Sequence, residues 1–255
     1  MAERRLRDII DLKSSMISLM SQEFGNVLTS MLLTAHIQHL CEPASPDASR
    51  QQSYETLVRT LEHLMISVEN VMDLERLGSG KLVMVLRSTD MRKVVMQAME
   101  DLRSMAKAKR LQMSLDCDLP PGEPVAVRAD PAALDIIVHN LLSNAIKYTP
   151  EEGMVTARIS RENGSGPGVW LAVQDTGIGI ARQHQPHVRA GFYRTEESRR
   201  IARGLGVGLR LSQELLELHG SGLEMESEPG KGTNFHFCLP LCSGEASSPA
   251  GAGEA

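Results

Sequence analysis

Hydrophobic periodicity changes character once along this chain, near Gly78 and Gly80, and that change limits the fold more than any other feature. Before it the pattern is helical. From about residue 3 to residue 40 there is no proline, and Gly25 is the one interior glycine. Leu6, Ile9, Ile10, Met16, Leu19, Met20, Phe24, Val27, Leu28, Met31 and Leu32 recur at spacings of one helical face. A Pro/Ser-rich loop spans 41–50, and a second stripe follows through Leu57, Leu61, Leu64, Val68, Val71, Leu74 and Leu77. Gly78 and Gly80 then end it. Residues 1–80 are therefore expected to form an antiparallel helical hairpin. Its apolar stripes are too wide for one partner helix, and pairing two hairpins into a four-helix bundle buries the excess. Packing against the second domain of the same chain is the alternative.

After residue 81 short extended runs alternate with helices. The runs 82–86, 111–116, 125–129, 155–160, 169–173, 223–226 and 233–239 read as strands. Residues 90–109 read as a helix, with Ser88 or Thr89 as its N-cap. Asp130-Pro131 opens another that runs to Lys147, with proline at the first position, and 205–219 reads as a third. Residues 181–203 have little apolar periodicity. Aromatic residues make up 3% of the chain and there are 14 methionines, so the core must come from Leu, Ile, Val, Met and Ala, which suits helices more than an all-β sandwich. The second domain, 81–242, is thus expected to be α+β: a mixed sheet with helices on one face. The tail 243–255 is Ser/Gly/Ala/Pro-rich and expected to be disordered.

Charge and cysteine usage narrow the function classes. A net charge of −5 argues against a general nucleic-acid binder, whose affinity rests on neutralising phosphates. Of Cys41, Cys117, Cys238 and Cys242 only Cys238 and Cys242 form a close pair, no second Cys/His pair sits at zinc spacing, and the four read as free thiols of a reducing compartment. No apolar run reaches the ~18 residues of a membrane span, and no signal core follows the charged start. A cytoplasmic chain, or the cytoplasmic piece of a longer one, is the expectation.

Three polar clusters carry the chemistry. Asn140 and Asn144 stand four apart on one helix face, with Lys147 and Tyr148 beside them; two amide oxygens and a cation suit a hydrated magnesium ion and a phosphate chain. Asp175 ends a strand and leads into Gly177 and Gly179. Its carboxylate can accept from an exocyclic amine, and the glycines let backbone approach a flat ring. Gly204, Gly206 and Gly208 lead directly into a helix, where backbone N–H groups favour phosphate. A dinucleotide-binding fold is rejected because the preceding segment is a polar loop, not a buried parallel strand.

In this order the clusters resemble the ATP-binding domain of sensor histidine kinases, a type shared with gyrase, Hsp90 and MutL-like ATPases. Gly191-Phe-Tyr-Arg194 resembles the end of that family's lid box. His219-Gly220 closes the next helix as in the family, and Gly230-Lys-Gly-Thr233 resembles its last glycine box. The hairpin is similar to the family's dimerisation domain, down to Leu74-Glu-Arg-Leu-Gly-Ser-Gly80, and the likeness covers about residues 10–241. It implies an α/β-sandwich ATP-binding domain of the histidine kinase/gyrase/Hsp90 type behind a dimeric four-helix bundle, with ATP and Mg²⁺ as cofactors. By position it implies that Asn144 binds magnesium with Asn140 nearby, and that Lys147 and Tyr148 meet the phosphates. Asp175 would read the adenine amine and Gly177 and Gly179 would line the base, with Thr233 in the last glycine box. Gly204, Gly206 and Gly208 would flank the triphosphate, and Arg194 would reach the γ-phosphate. Six arginines in 182–203 fit a mobile lid over a polyanion.

The resemblance breaks at one decisive place. Where the family carries its phospho-accepting histidine, this chain has Gln22. A carboxamide nitrogen is not a nucleophile at neutral pH, because its lone pair is delocalised; an imidazole nitrogen is. His36 and His39 lie more than ~20 Å further along the helix at 1.5 Å per residue. Gly25 and Val27 replace the family's Arg and Pro, and Arg189 stands where a phenylalanine anchors the lid. Glu23-Phe-Gly-Asn26 nevertheless matches the acid-x-x-Asn/Thr motif with which family members dephosphorylate a response regulator; Asn26 lies one turn from Gln22 on the same face. The expected partners are a second copy of the chain and a response regulator or partner histidine kinase, with no nucleic acid and no direct membrane segment. The expected activity is regulation without conventional autophosphorylation, and the alternatives are a response-regulator phosphatase using Glu23 and Asn26 or a kinase acting on a partner in trans.

Overall fold

Among the described residues the full elements are, in order, β1 (Arg87–Asp90), α1 (Met91–Asp101), α2 (Arg103–Ala108), β2 (Gln112–Cys117), β3 (Ala126–Ala129), α3 (Pro131–Tyr148), β4 (Met154–Ser160) and β5 (Gly168–Asp175). Then come α4 (Gln185–Ala190), α5 (Glu196–Ile201), α6 (Gly208–Leu218), β6 (Glu224–Glu228) and β7 (Gly232–Pro240). The structure, a computed structural model, describes residues 84–120, 123–161, 168–190, 193, 195–201 and 207–242. It also describes seven helical positions, Phe24, Leu28, Thr29, Met31, Leu33, Val58 and Leu61. The remainder of the expected hairpin, its dimer contact and the tail 243–255 lie outside the described residues.

The chain divides into two compact units, one of Met84–Ala181 with Leu215–Ala255, the other of Met1–Val83 with Arg182–Glu214. The first holds a five-stranded sheet in the order β2-β4-β5-β7-β6. β2 and β4 run parallel and every other pair is antiparallel. A parallel pair needs a long crossover, and β3 with α3 supplies it. α3 lies against β4 and β5, and α1 lies against α3. Burial alternates along the central strands as a one-sided sheet requires: Val155, Ala157 and Ile159, then Val169, Leu171 and Val173, then Phe237 and Leu239 are almost wholly buried. From α3, Leu134, Ile137, Val138, Leu141, Leu142 and Ile146 are buried to the same degree. The mixed sheet expected from the sequence is present.

A two-stranded antiparallel sheet of β1 and β3, in register from Arg87 opposite Ala129 to Asp90 opposite Ala126, stands beside it. The segment after β7 is tied to it by a bridge between Val127 and Leu241 and by Cys242 N donating to Ala126 O at 3.0 Å.

Several element boundaries differ from the sequence reading. The strand expected at 82–86 begins instead at Arg87; Val85 is 62% exposed and its N–H goes to the Asp130 carboxylate rather than to a ladder. The cap of the next helix is Asp90, not Ser88 or Thr89: Asp90 Oδ1 accepts from Arg92 N and from Val125 N, while Thr89 is paired within the strand and its hydroxyl donates to Ala129 O. The single helix expected over 90–109 is interrupted at Leu102. In the other unit, α4 and α5 occupy the segment whose sequence lacked apolar periodicity.

Candidate functional site

α3 is held at both ends, which fixes the candidate residues it carries. At its start Asp130 is the N-cap, with Oδ1 accepting from Ala132 N and Ala133 N. Burial alone would raise this carboxyl, but the backbone N–H groups of Val85, Ala133 and Ala132 hold it below the ordinary carboxylate range. The Asp130 N–H in turn donates to His219 Nε2 at 3.0 Å, and His219 Nδ1 faces Leu215 O at 2.7 Å. Nε2 is therefore the acceptor and Nδ1 carries the proton. The sequence reading placed His219 only as a helix end; the structure makes it the residue that positions the start of α3.

Asn140, Asn144, Lys147 and Tyr148 form one half-buried stripe along α3, while the positions between them enter the core. The periodicity of the helix predicts this arrangement. Two amide side chains on one half-exposed face fit a magnesium ion that keeps most of its waters and bridges to phosphate; they do not make an all-protein cage. No cluster of three or more His, Cys, Asp or Glu with metal-binding geometry occurs among the described residues.

Asp175 is in phase with Val169, Leu171 and Val173, so its side chain ends the core-facing side of β5, and the residue is 6% exposed. Oδ1 accepts from Gly177 N at 2.8 Å and Thr233 N at 3.2 Å. No described residue donates to Oδ2. Burial pushes the carboxyl up to about 6 against the opposing effect of those two N–H donors. The result is a fixed acceptor at the end of a buried strand face, the kind of group that reads an amine on a flat ring.

The glycines around it serve the protein as well as any ligand. A Cβ on Gly177 would lie 2.6 Å from both Asp175 Oδ1 and Tyr148 O. Gly179 has φ +67° and a Cβ there would overlap Glu228 O. Gly230 N donates to Ile178 O at 2.7 Å and Ile180 N to Ser227 Oγ at 2.8 Å, so the loop after Asp175 is seated on the β6–β7 hairpin. The Thr233 hydroxyl also faces Ser227 Oγ, at 2.9 Å. Tyr148, Asp175, Gly177 and Thr233 are thus brought together, with Tyr148 O accepting from Ile178 N at 3.2 Å.

In the other unit Gly208 opens α6, and Tyr193 Oη lies 2.6 Å from His184 Nδ1 with the His187 ring 5.1 Å from that of Tyr193. This aromatic cluster had no sequence signal. Gly204, Gly206, Arg194, Gln22, Glu23 and Asn26 lie outside the described residues. Of the six arginines of 182–203, Arg182 is the one whose side chain is described, and it is exposed.

Comparison with known proteins agrees with this geometry. Residues 129–243 match the family model described as Histidine kinase-, DNA gyrase B-, and HSP90-like ATPase, and this part of the chain is an ATP-binding domain of that type. The circadian input-output histidine kinase CikA of Synechococcus elongatus is 33% identical over 230 residues, covering 89% of this chain and 30% of CikA. The adaptive-response sensory kinase SasA of Thermosynechococcus vestitus is 30% identical, covering 94% of this chain and 63% of SasA. This chain therefore spans less than two thirds of either relative. Among solved structures, full-length ShkA in complex with AMPPNP superposes with a TM-score of 0.72 at 25% identity, covering 89% of this chain and 46% of ShkA. No helix of the described residues is long and apolar enough to cross a membrane.

Proposed function

We propose that this chain is a histidine-kinase-family module of two-component signalling that binds Mg-ATP, does not autophosphorylate on a histidine in the conventional way, and regulates a response regulator or a partner kinase. The observation that carries the nucleotide half is Asp175, a buried carboxylate with Oδ1 occupied by two backbone N–H groups and no described donor on Oδ2. The AMPPNP bound by ShkA supports the same reading. In this reading Asp175 accepts from the adenine amine, beside Gly177, Gly179 and Thr233. Asn144 with Asn140 holds magnesium, Lys147 and Tyr148 meet phosphate, Gly204, Gly206 and Gly208 flank the triphosphate, and Arg194 reaches the γ-phosphate. Residues 1–80 dimerise, 81–242 bind nucleotide, 243–255 form a tail, and the module works in the cytoplasm.

Gln22 carries the other half, since it offers no nucleophile where the resemblance expects one. One observation favours a second reading: Glu23 and Asn26 keep the spacing of a response-regulator phosphatase, with the Asn26 amide orienting water. Incubating the chain with γ-labelled ATP and magnesium separates the readings. Binding without a labelled chain is expected. An acid-labile, base-stable label on this chain would show that a histidine is phosphorylated and would sink the proposal. Loss of phosphate from a phosphorylated regulator, abolished by Asn26→Ala, would establish the second reading.

A further inference from the structure

The last four carbonyls of an α-helix have no partner within it, and at the end of α3 each can be traced. Ala145 O accepts from Thr149 N at 3.1 Å and Thr149 Oγ1 at 2.7 Å. Tyr148 O accepts from Ile178 N. Ile146 O and Lys147 O both accept from Lys109 Nζ, each at 2.9 Å, and Thr149 O accepts from the same nitrogen at 2.5 Å. An ammonium group has three N–H donors, and here all three converge on one helix end. Lys109 also places a positive charge at the negative end of the α3 dipole.

The geometry points to Lys109 as a positioning residue for nucleotide binding: through three carbonyls it sets the height and rotation of the turn that carries Lys147 and Tyr148, and through Tyr148 O it holds the loop that follows Asp175. This role rests on the nucleotide reading proposed above, and Lys109 itself need not touch the ligand. Its backbone adds to the same anchor. Glu152 N donates to Lys109 O at 3.1 Å, so the chain leaving α3 is tied back to the residue that caps it.

Substitution separates positioning from plain stability. In Lys109→Met three carbonyls lose the donor that Lys109 supplies. The Kd for Mg-ATP is expected to rise about tenfold, equivalent to ~1.4 kcal/mol, while unfolding remains cooperative. Amide exchange at Ile178 should accelerate, because its acceptor Tyr148 O is no longer held, whereas Leu171 in the sheet interior should keep its protection. Lys109→Arg preserves the charge but presents a planar fork instead of three converging donors. It should fold normally and still raise Kd, by about threefold. Unchanged Kd in both variants, or unchanged exchange at Ile178 in Lys109→Met, would overturn the assignment. If Lys109→Met does not fold, Lys109→Arg decides by the same two readouts. Absence of Mg-ATP binding by the wild-type chain would overturn the nucleotide reading instead, and Ile178 exchange would still decide whether Lys109 holds the loop.

Discussion

At the scale of single residues, Asp175 has opposed effects on stability and binding. Its carboxyl moves from 3.8 to about 6 on burial. The folded state therefore holds the proton more tightly than the unfolded state, and stability declines as pH rises from about 4 to about 6, then levels. At 1.36 kcal/mol per unit, ionised Asp175 costs the apo fold on the order of 3 kcal/mol at neutral pH. Asp175→Asn should remove that slope and raise apo stability at pH 7 by about 1–2 kcal/mol, read from thermal unfolding across pH. Binding should respond in the opposite sense. An amine donor favours the carboxylate, so affinity for adenosine, which has no group titrating near 6, should fall about tenfold between pH 7 and pH 5. A flat adenosine profile would remove the carboxylate from recognition. The glycines are a separate case. Gly179→Ala should destabilise by more than ~1 kcal/mol, since φ is +67° and the added methyl meets Glu228 O; a denaturant midpoint as high as that of the wild type would contradict this.

At the scale of elements, α3 can position the candidate residues it carries because its surroundings define both of its ends. The sequence made the helix legible: Asp130-Pro131 marked its start, the Asn140/Asn144 spacing its half-buried polar face, and the intervening Leu and Ile its buried face. The ties at either end were not legible. Lys109 reaches carbonyls 37 to 40 residues away, and His219 reaches an N–H 89 residues away; no local pattern encodes such pairs. The same limit explains the misplaced first strand. The run 82–86 looks like a strand by its apolar content, yet β1 is fixed by where β3 lies and by the Asp130 carboxylate that takes the Val85 N–H. His219→Ala removes an acceptor from the half-buried Asp130 N–H and should cost about 1 kcal/mol, and it should lower nucleotide affinity by loosening the start of α3. A thermal midpoint unmoved by that substitution would refute the role given to His219.

At the scale of the whole molecule, an ATP-binding domain follows a segment in which we propose that Gln22 stands at the phospho-acceptor position. The type of the domain was legible because three clusters stand in a fixed order, each with a physical reason for its residue types. The buried acceptor on Asp175 and the seating of its loop on the β6–β7 hairpin required the folded sheet, because β5 and β7 meet only through non-local pairing. Asp175 is the residue on which the proposed Mg-ATP binding turns. The most direct test is calorimetric titration of wild-type and Asp175→Asn chains with Mg-ATP. Saturable binding by the wild type is expected, with a loss of at least about tenfold in affinity in the variant and its fold intact. Equal affinity in the two chains, or no binding by the wild type, would contradict it.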